Sequence, residues 1–358
     1  VPAAVAGKGR IGGLVRDRLP VSPLAQPANT MTAIYFDQKI DDDTRRQRIY
    51  DGDLYVYSAN EHSTALIEVA RRLIAEHFTG VDPRKAQYQF DVREFAKVLA
   101  KLKPAFIHHP DCKVLIPRML ESVGCDLDQT HFDIPRMRSS TSDDYLTSGI
   151  AYAFHPHRDT WYSAPMCQIN WWLPIFDIEG GNAMAFHPNY FGRSVRNNSE
   201  IYNYQEWNAK MRFNAVEHVG KDERPQPKPQ EPLALDPMTV VVTPPGGMLM
   251  FSGAQLHSSI PNRSGVTRYS IDFRCVHLGD LKAARGARNV DSKCTGSAIN
   301  DYLQGSTLNH VPEEVQAMYM PGHPQPIESG LPSLSAMQGP TIPLGSHLSG
   351  NRPERRPQ

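Results

Sequence analysis

The segment His155-Pro-His-Arg-Asp159 places two imidazoles and a carboxylate close together, and His257 follows about a hundred residues later. On an extended segment, side chains two apart point to the same side. His157 and Asp159 therefore present a nitrogen and an oxygen ligand together. His155 is four residues from Asp159, a spacing that suits a helix and not a strand end. If the fold returns His257 to this pair, two nitrogens and one oxygen occupy one face of an octahedral ion. Three positions stay open, the arrangement that suits an Fe(II) centre with several exchangeable ligands. A lone His-x-Asp recurs by chance, and its ordinary alternative is a surface turn with a hydrogen-bonded histidine. The frame must therefore decide.

The elements that could build such a frame come in two blocks. Leu54–Tyr57 is expected to be a short strand, and Ser58 with Glu61 resembles a capping box. Leu66, Val69, Ala70, Leu73 and Ile74 follow at helical spacing, which predicts a helix over 60–78. Further helices are expected over 90–101 and 111–123. From His131 the pattern changes to period two. Strands are expected over 132–138, 150–154, 167–176, 182–186, 239–243, 248–251 and 269–276. Pro244-Pro-Gly-Gly247 reads as a turn between two of them. Helices followed by strands joined at turns predict a mainly β, α+β fold: a double-stranded β-helix (jelly roll, cupin-like) backed by helices. Its mouth admits a ligand from one end. The expected division is a loosely ordered arm over 1–30, a helical layer over 31–130, and a catalytic core over 131–280. An insertion spans 190–235, and an extension over 281–358 is expected to be flexible after about 330. An insertion of this length is more often functional than idle.

Composition narrows the partners. Lys+Arg and Asp+Glu both number 38 in 358 residues, which disfavours nucleic acid or an anionic membrane as the main partner. Cys112, Cys125, Cys167, Cys275 and Cys294 are scattered, without a Cys-x-x-Cys pair. Free thiols in a reducing, cytoplasmic setting are the expectation. No apolar run reaches the length of a membrane span, and Val1–Leu24 lacks the apolar core of a signal peptide. The oligomeric state is not legible, though a homodimer is compatible.

His257 follows a glycine turn and the apolar run Met248–Phe251, as a returning ligand should. Arg268 lies eleven residues further on, and Ser270 shares its face. A guanidinium and a hydroxyl on a pocket floor suit a small dicarboxylate; the ordinary alternative for Arg268 is a surface cation.

Four elements then carry a resemblance. His157-Arg-Asp159; Trp172-Leu-Pro-Ile-Phe-Asp-Ile-Glu-Gly-Gly-Asn-Ala-Met-Ala-Phe-His-Pro188; Pro245-Gly-Gly-Met-Leu-Met-Phe251 with His257 and Pro261-Asn262; and Arg268-Tyr-Ser270 occur in that order. The stretch from Ala151 to Val276 resembles the Fe(II)/2-oxoglutarate-dependent dioxygenases, most closely the phytanoyl-CoA dioxygenase branch. It departs at Phe186-His-Pro-Asn-Tyr190, where a Pro-Gly-Ser-His type corner is common. The resemblance implies Fe(II) held by His157, Asp159 and His257, with 2-oxoglutarate chelating the metal and its far carboxylate on Arg268 and Ser270. O2 completes the set. It implies hydroxylation of a small organic molecule, or desaturation or ring closure, coupled to formation of succinate and CO2. Asp159 disfavours halogenation, because related halogenases lack the carboxylate.

Around this core, Gln168, Asn170 and Trp172 share a strand face and could contact 2-oxoglutarate. Tyr152 and Trp161 could line the entrance. Arg136 and Arg138 share a face, where Arg138 could meet an anionic substrate or both could simply edge a sheet. Tyr202, Tyr204 and Trp207 could form a lid or anchor their loop. His187 is the rival metal ligand, ranked below His257. Two other readings compete: a cupin-like metalloenzyme that does not use 2-oxoglutarate, and a jelly-roll binding protein without a metal.

Overall fold

The computed structural model describes residues 32–146, 155–211 and 224–320. The first block of elements is β1 (Ile34–Phe36), α1 (Asp42–Tyr50), β2 (Leu54–Tyr57), α2 (Glu61–His77), α3 (Val92–Ile107) and α4 (Cys112–Ser122). The second holds β3 (Thr130–Phe132), β4 (Arg136–Ser140), β5 (Ile169–Pro174), β6 (Met184–Phe186), α5 (Tyr204–Lys210), β7 (Thr239–Val241), β8 (Met248–Ser252), β9 (His257–Ser259) and β10 (Arg268–His277). The short elements α6 (Leu278–Lys282), β11 (Leu303–Gln304) and α7 (Glu313–Ala317) follow.

These strands make two sheets. The large one runs β1-β2-β8-β5-β10-β3-β11, with β4 also on β10; the small one runs β7-β6-β9. Period-two alternation gives the large sheet two distinct faces. Trp171, Tyr269, Ile271 and Phe273 face outward into the main core shared with α2, α3 and α4. Trp171 stacks on Phe273 with ring centroids 5.3 Å apart. The other face turns toward the small sheet, where Leu54, Val56, Trp172, Leu249 and Phe251 pack against Met184, Phe186 and Val241. Two facing sheets with helices on one side are the double-stranded β-helix expected from the sequence, a mixed α/β architecture.

The Pro244–Gly247 turn carries the chain from the small sheet to the large one. Gly247 N–H donates to the Pro244 carbonyl at 2.9 Å, and Gly246 has φ +78°, a type II turn that a side chain at that position would strain.

Several boundaries differ from expectation, each for a local reason. The strand expected over 132–138 is split into β3 and β4. Pro135 lacks the donor a continuous strand needs, and three residues, 133–135, span the gap that two residues of β10 span opposite, as in a bulge. The cap of α2 is Asn60, whose side chain accepts from His62 and Ser63 while Ser63 returns the bond, not Ser58 with Glu61. The helical layer also supplies β1 and β2 to the large sheet, so a boundary at residue 131 divides one sheet. The expected strand over 150–154, Tyr152, the arm over 1–30 and the tail beyond 320 lie outside the described residues. No helix among the described residues is long and apolar enough to cross a membrane.

Candidate metal centre and its cavity

His157 reaches the small sheet through an isolated antiparallel bridge to His257, the first residue of β9. Arg158 between His157 and Asp159 is extended, with φ −112° and ψ 142°, so both side chains fall on one side. Asp159 Oδ1 lies 3.5 Å from His157 Nε2 and 3.9 Å from His257 Nε2. All three ligand atoms lie within 4.8 Å of one another.

The backbone fixes both rings. His157 Nδ1 meets the His155 carbonyl at 2.8 Å, and His257 Nδ1 meets the Gln255 carbonyl at 2.9 Å. A carbonyl only accepts, so each Nδ1 carries a proton and each ring turns its Nε2 toward Asp159. Burial, with His157 beside it, pushes His257 down to about 4. It is a neutral ligand near neutral pH. Burial would raise the Asp159 carboxyl, but the neighbouring His157, His257 and Arg138 outweigh it and hold it at about 2. One carboxylate and two imidazole donors suit a divalent transition metal.

Behind the ligands lies a support that the sequence reading missed. Gln168 Nε2 donates to Asp159 Oδ2 at 3.1 Å and to Asn170 Oδ1 at 2.8 Å, and Tyr302 donates to Gln168 Oε1 at 2.7 Å. Gln168 is therefore held at both ends, by Tyr302 on its oxygen and by Asp159 and Asn170 on its nitrogen. Arg158 is fully buried, with Nε 3.1 Å from Asp291 Oδ2 and Nη2 2.8 Å from the Arg193 carbonyl. Asp291 also accepts from Trp161 Nε1 at 2.7 Å and Val195 N at 3.0 Å. Asp291 and Tyr302 lie in the C-terminal extension, where no local periodicity marks them.

A cavity of about 400 Å³ opens over the three ligands. Asn170 and Trp172 line it, as does Arg268. The Arg268 guanidinium lies 5.6 Å over the Trp172 ring, and its Nη1 donates to the Asn182 carbonyl at 3.0 Å. It has no acidic partner among the described residues, and burial pushes it down to about 10. Arg268 Nε and Ser270 Oγ are both buried without a hydrogen-bond partner. Those two orphaned groups share one face of β10. A carboxylate on that face would satisfy both, so the residues present fit a dicarboxylate ligand.

Trp161 does not line the cavity. Asp159 begins a short 3-10 helix through Tyr162, and in such a helix residues three apart eclipse. Tyr162 therefore stands over Asp159, 5.6 Å from the His157 ring centroid, while Trp161 packs with Tyr190, Val195 and Leu256. Tyr202, Tyr204 and Trp207 from the insertion line the cavity. Arg138 lines it too, paired with Asp272 through Nε at 2.6 Å and Nη2 at 3.0 Å. His187 is excluded as a ligand: Nδ1 meets the Leu235 carbonyl at 3.1 Å and Nε2 meets Ser258 Oγ at 3.0 Å.

No family model matches the chain, and no curated protein matches it. Among solved structures it is similar to the non-heme monooxygenase ThoJ in its apo form, at 12% identity over 65% of this chain and 77% of that chain, TM-score 0.37. It is also similar to the epimerase SnoN in complex with Fe3+, alpha ketoglutarate and nogalamycin RO, at 13% identity over 66% and 85%, TM-score 0.34. A third is EvdO2 from Micromonospora carbonacea var. aurantiaca complexed with 2-oxoglutarate, at 11% identity over 67% and 92%, TM-score 0.34. At these identities and TM-scores the chemistry has to be read from the residues of this chain.

Proposed function

We propose that this protein is a non-haem Fe(II)- and 2-oxoglutarate-dependent oxygenase that hydroxylates a small organic molecule. The observation that carries the reading is one cavity lined by a three-donor metal set and by a buried guanidinium without an acidic partner among the described residues. Within that class, the four sequence elements favour the phytanoyl-CoA dioxygenase branch.

His157 Nε2, His257 Nε2 and an oxygen of Asp159 would hold the metal. Bound Fe(II), with 2-oxoglutarate and O2, supplies the oxidising power that turns C–H into C–OH while 2-oxoglutarate becomes succinate and CO2. The chain's own residues do the rest. Gln168 holds Asp159 Oδ2, which turns Oδ1 toward the histidines and favours one-oxygen ligation. Arg268 and Ser270 would take the far carboxylate of 2-oxoglutarate, a charge-assisted contact in a desolvated site. Trp172 beneath the guanidinium fixes its plane. Tyr162, Tyr202 and Trp207 exclude water and limit the poses a substrate can take.

The test is slow 2-oxoglutarate turnover without substrate. Full-length protein with Fe(II) and O2 should release CO2 and succinate in equal amounts, and His257→Ala should not. Iron binding without any 2-oxoglutarate consumption or binding would overturn the reading.

A further inference from the structure

The C-terminal extension reaches the metal centre through one hydroxyl. Strand β11 pairs with β3, Leu303 opposite Phe132, at the end of the large sheet. That pairing fixes the residue just before it, and Tyr302 is fully buried in the main core. Its neighbour Asp301 takes the hydroxyl of Tyr204, from α5, so the segment is tied on both sides. From this position Tyr302 Oη lies 2.7 Å from Oε1 of Gln168, the residue just ahead of β5.

The direction of each bond in this chain follows from Asp159. A carboxylate only accepts, so the Gln168 atom 3.1 Å from Asp159 Oδ2 has to be the amide nitrogen. The second N–H of that nitrogen goes to Asn170 Oδ1 at 2.8 Å. The oxygen end then faces Tyr302, which has to donate. Burial raises the Tyr302 phenol well above its usual value, so it keeps the proton that this requires. Gln168, itself fully buried, thus has both N–H groups and its oxygen engaged.

Magnitudes decide what Tyr302 contributes. A hydrogen bond to a charged group contributes about as much as it costs to bury a carbonyl oxygen without a partner. Without the Tyr302 hydroxyl, keeping Gln168 turned toward Asp159 would leave Oε1 unpaired and away from water, and the two effects would nearly cancel. The amide would then be as stable rotated off the carboxylate. With the hydroxyl present, the orientation that serves Asp159 is also the one that satisfies Oε1.

We propose that Tyr302 is a positioning residue for the metal centre: acting through Gln168, it keeps an N–H on the outer oxygen of Asp159. The extension is thereby part of the site, although the three ligands all lie elsewhere in the chain. This rests on the metal-binding half of the proposed function and not on 2-oxoglutarate.

The experiment is a double-mutant cycle on the full chain, with Tyr302→Phe and Gln168→Leu separately and together. Tyr302→Phe keeps the ring and its packing. Each protein is titrated with Co(II) and the absorption of the bound ion is recorded, with thermal unfolding to check the fold. Tyr302→Phe should weaken Co(II) binding by about tenfold, and no more than Gln168→Leu does. In the Gln168→Leu background, Tyr302→Phe should change the affinity by less than about twofold, because its route to the metal is gone. Both single variants and the double variant should share one Co(II) spectrum, distinct from the parent's. A purely structural tyrosine predicts a lower unfolding temperature with parent-like affinity and spectrum. That result, or equal losses of affinity in both backgrounds, would overturn the inference and leave the metal centre standing. Folded parent protein that binds no Co(II) would sink the metal reading, and the inference with it.

Discussion

His157 and His257 are joined through their main chains: each donates its N–H to the other's carbonyl, at 2.9 and 3.0 Å. Their ring centroids lie 4.4 Å apart. The two imidazoles are thus neighbours across a ladder rung, and their spacing is set by backbone hydrogen bonds that do not depend on a bound ion. The backbone itself holds the two rings as a pair.

That organisation predicts that ligand loss removes metal without unfolding the chain. His157→Ala, Asp159→Ala and His257→Ala should each lower Fe(II) affinity by more than about a hundredfold, with unfolding temperatures close to the parent's. Metal analysis after dialysis checks this. Full iron retention in any one of them would remove that residue from the centre.

Arg268 predicts a trade between stability and function. Its guanidinium is buried without an acidic partner among the described residues, so Arg268→Met should raise the stability of the ligand-free protein by about 1–3 kcal/mol. The same change should cost 2-oxoglutarate about 2 kcal/mol or more of binding, roughly thirtyfold. Denaturant midpoints and calorimetry read the two effects. A destabilised Arg268→Met would mean that the cation already has a partner.

Arg158 and Asp291 predict the opposite. Breaking this buried pair with Arg158→Met leaves Asp291 uncompensated and should cost about 3–5 kcal/mol. Gln168→Leu is milder: it frees Asp159 Oδ2 and should weaken metal binding about tenfold to a hundredfold with little change in unfolding. An unchanged metal affinity would remove Gln168 from its supporting role.

Lys103 gives a pH signature. An ordinary lysine titrates near 10.5, and in the fold Lys103 is lowered to about 7. Between those values the unfolded chain holds the extra proton, so the Lys103 contribution makes stability rise with pH across that window and level off below it. Denaturant midpoints of ligand-free protein from pH 7 to 10 should show this slope, and Lys103→Met should flatten it. An identical pH profile in Lys103→Met would contradict the burial of its charged head.

What was legible in the sequence follows from which forces are local. Period two put Arg268 with Ser270, and Asn170 with Trp172, on shared faces, because pleating alone decides that. The glycine turn before β8 announced the return of His257. Asp291 and Tyr302 were not legible, because a buried carboxylate holding a segment 130 residues away leaves no periodic trace. Trp161 was misplaced because the chain leaves extended geometry at Asp159, and a three-residue turn substitutes Tyr162. Helix α1 escaped notice for a related reason. It buries Arg45 and Arg46 through ion pairs with Asp42 and Asp280, so it carries no apolar stripe to read.

The measurement that bears most directly on the central claim is an anaerobic titration of the full chain with Fe(II) and then 2-oxoglutarate, followed by visible absorption. A metal-to-ligand charge-transfer band should appear on adding 2-oxoglutarate, vanish in His257→Ala, and require far more cosubstrate in Arg268→Ala. Bound iron that gives no band at any 2-oxoglutarate concentration would contradict the account.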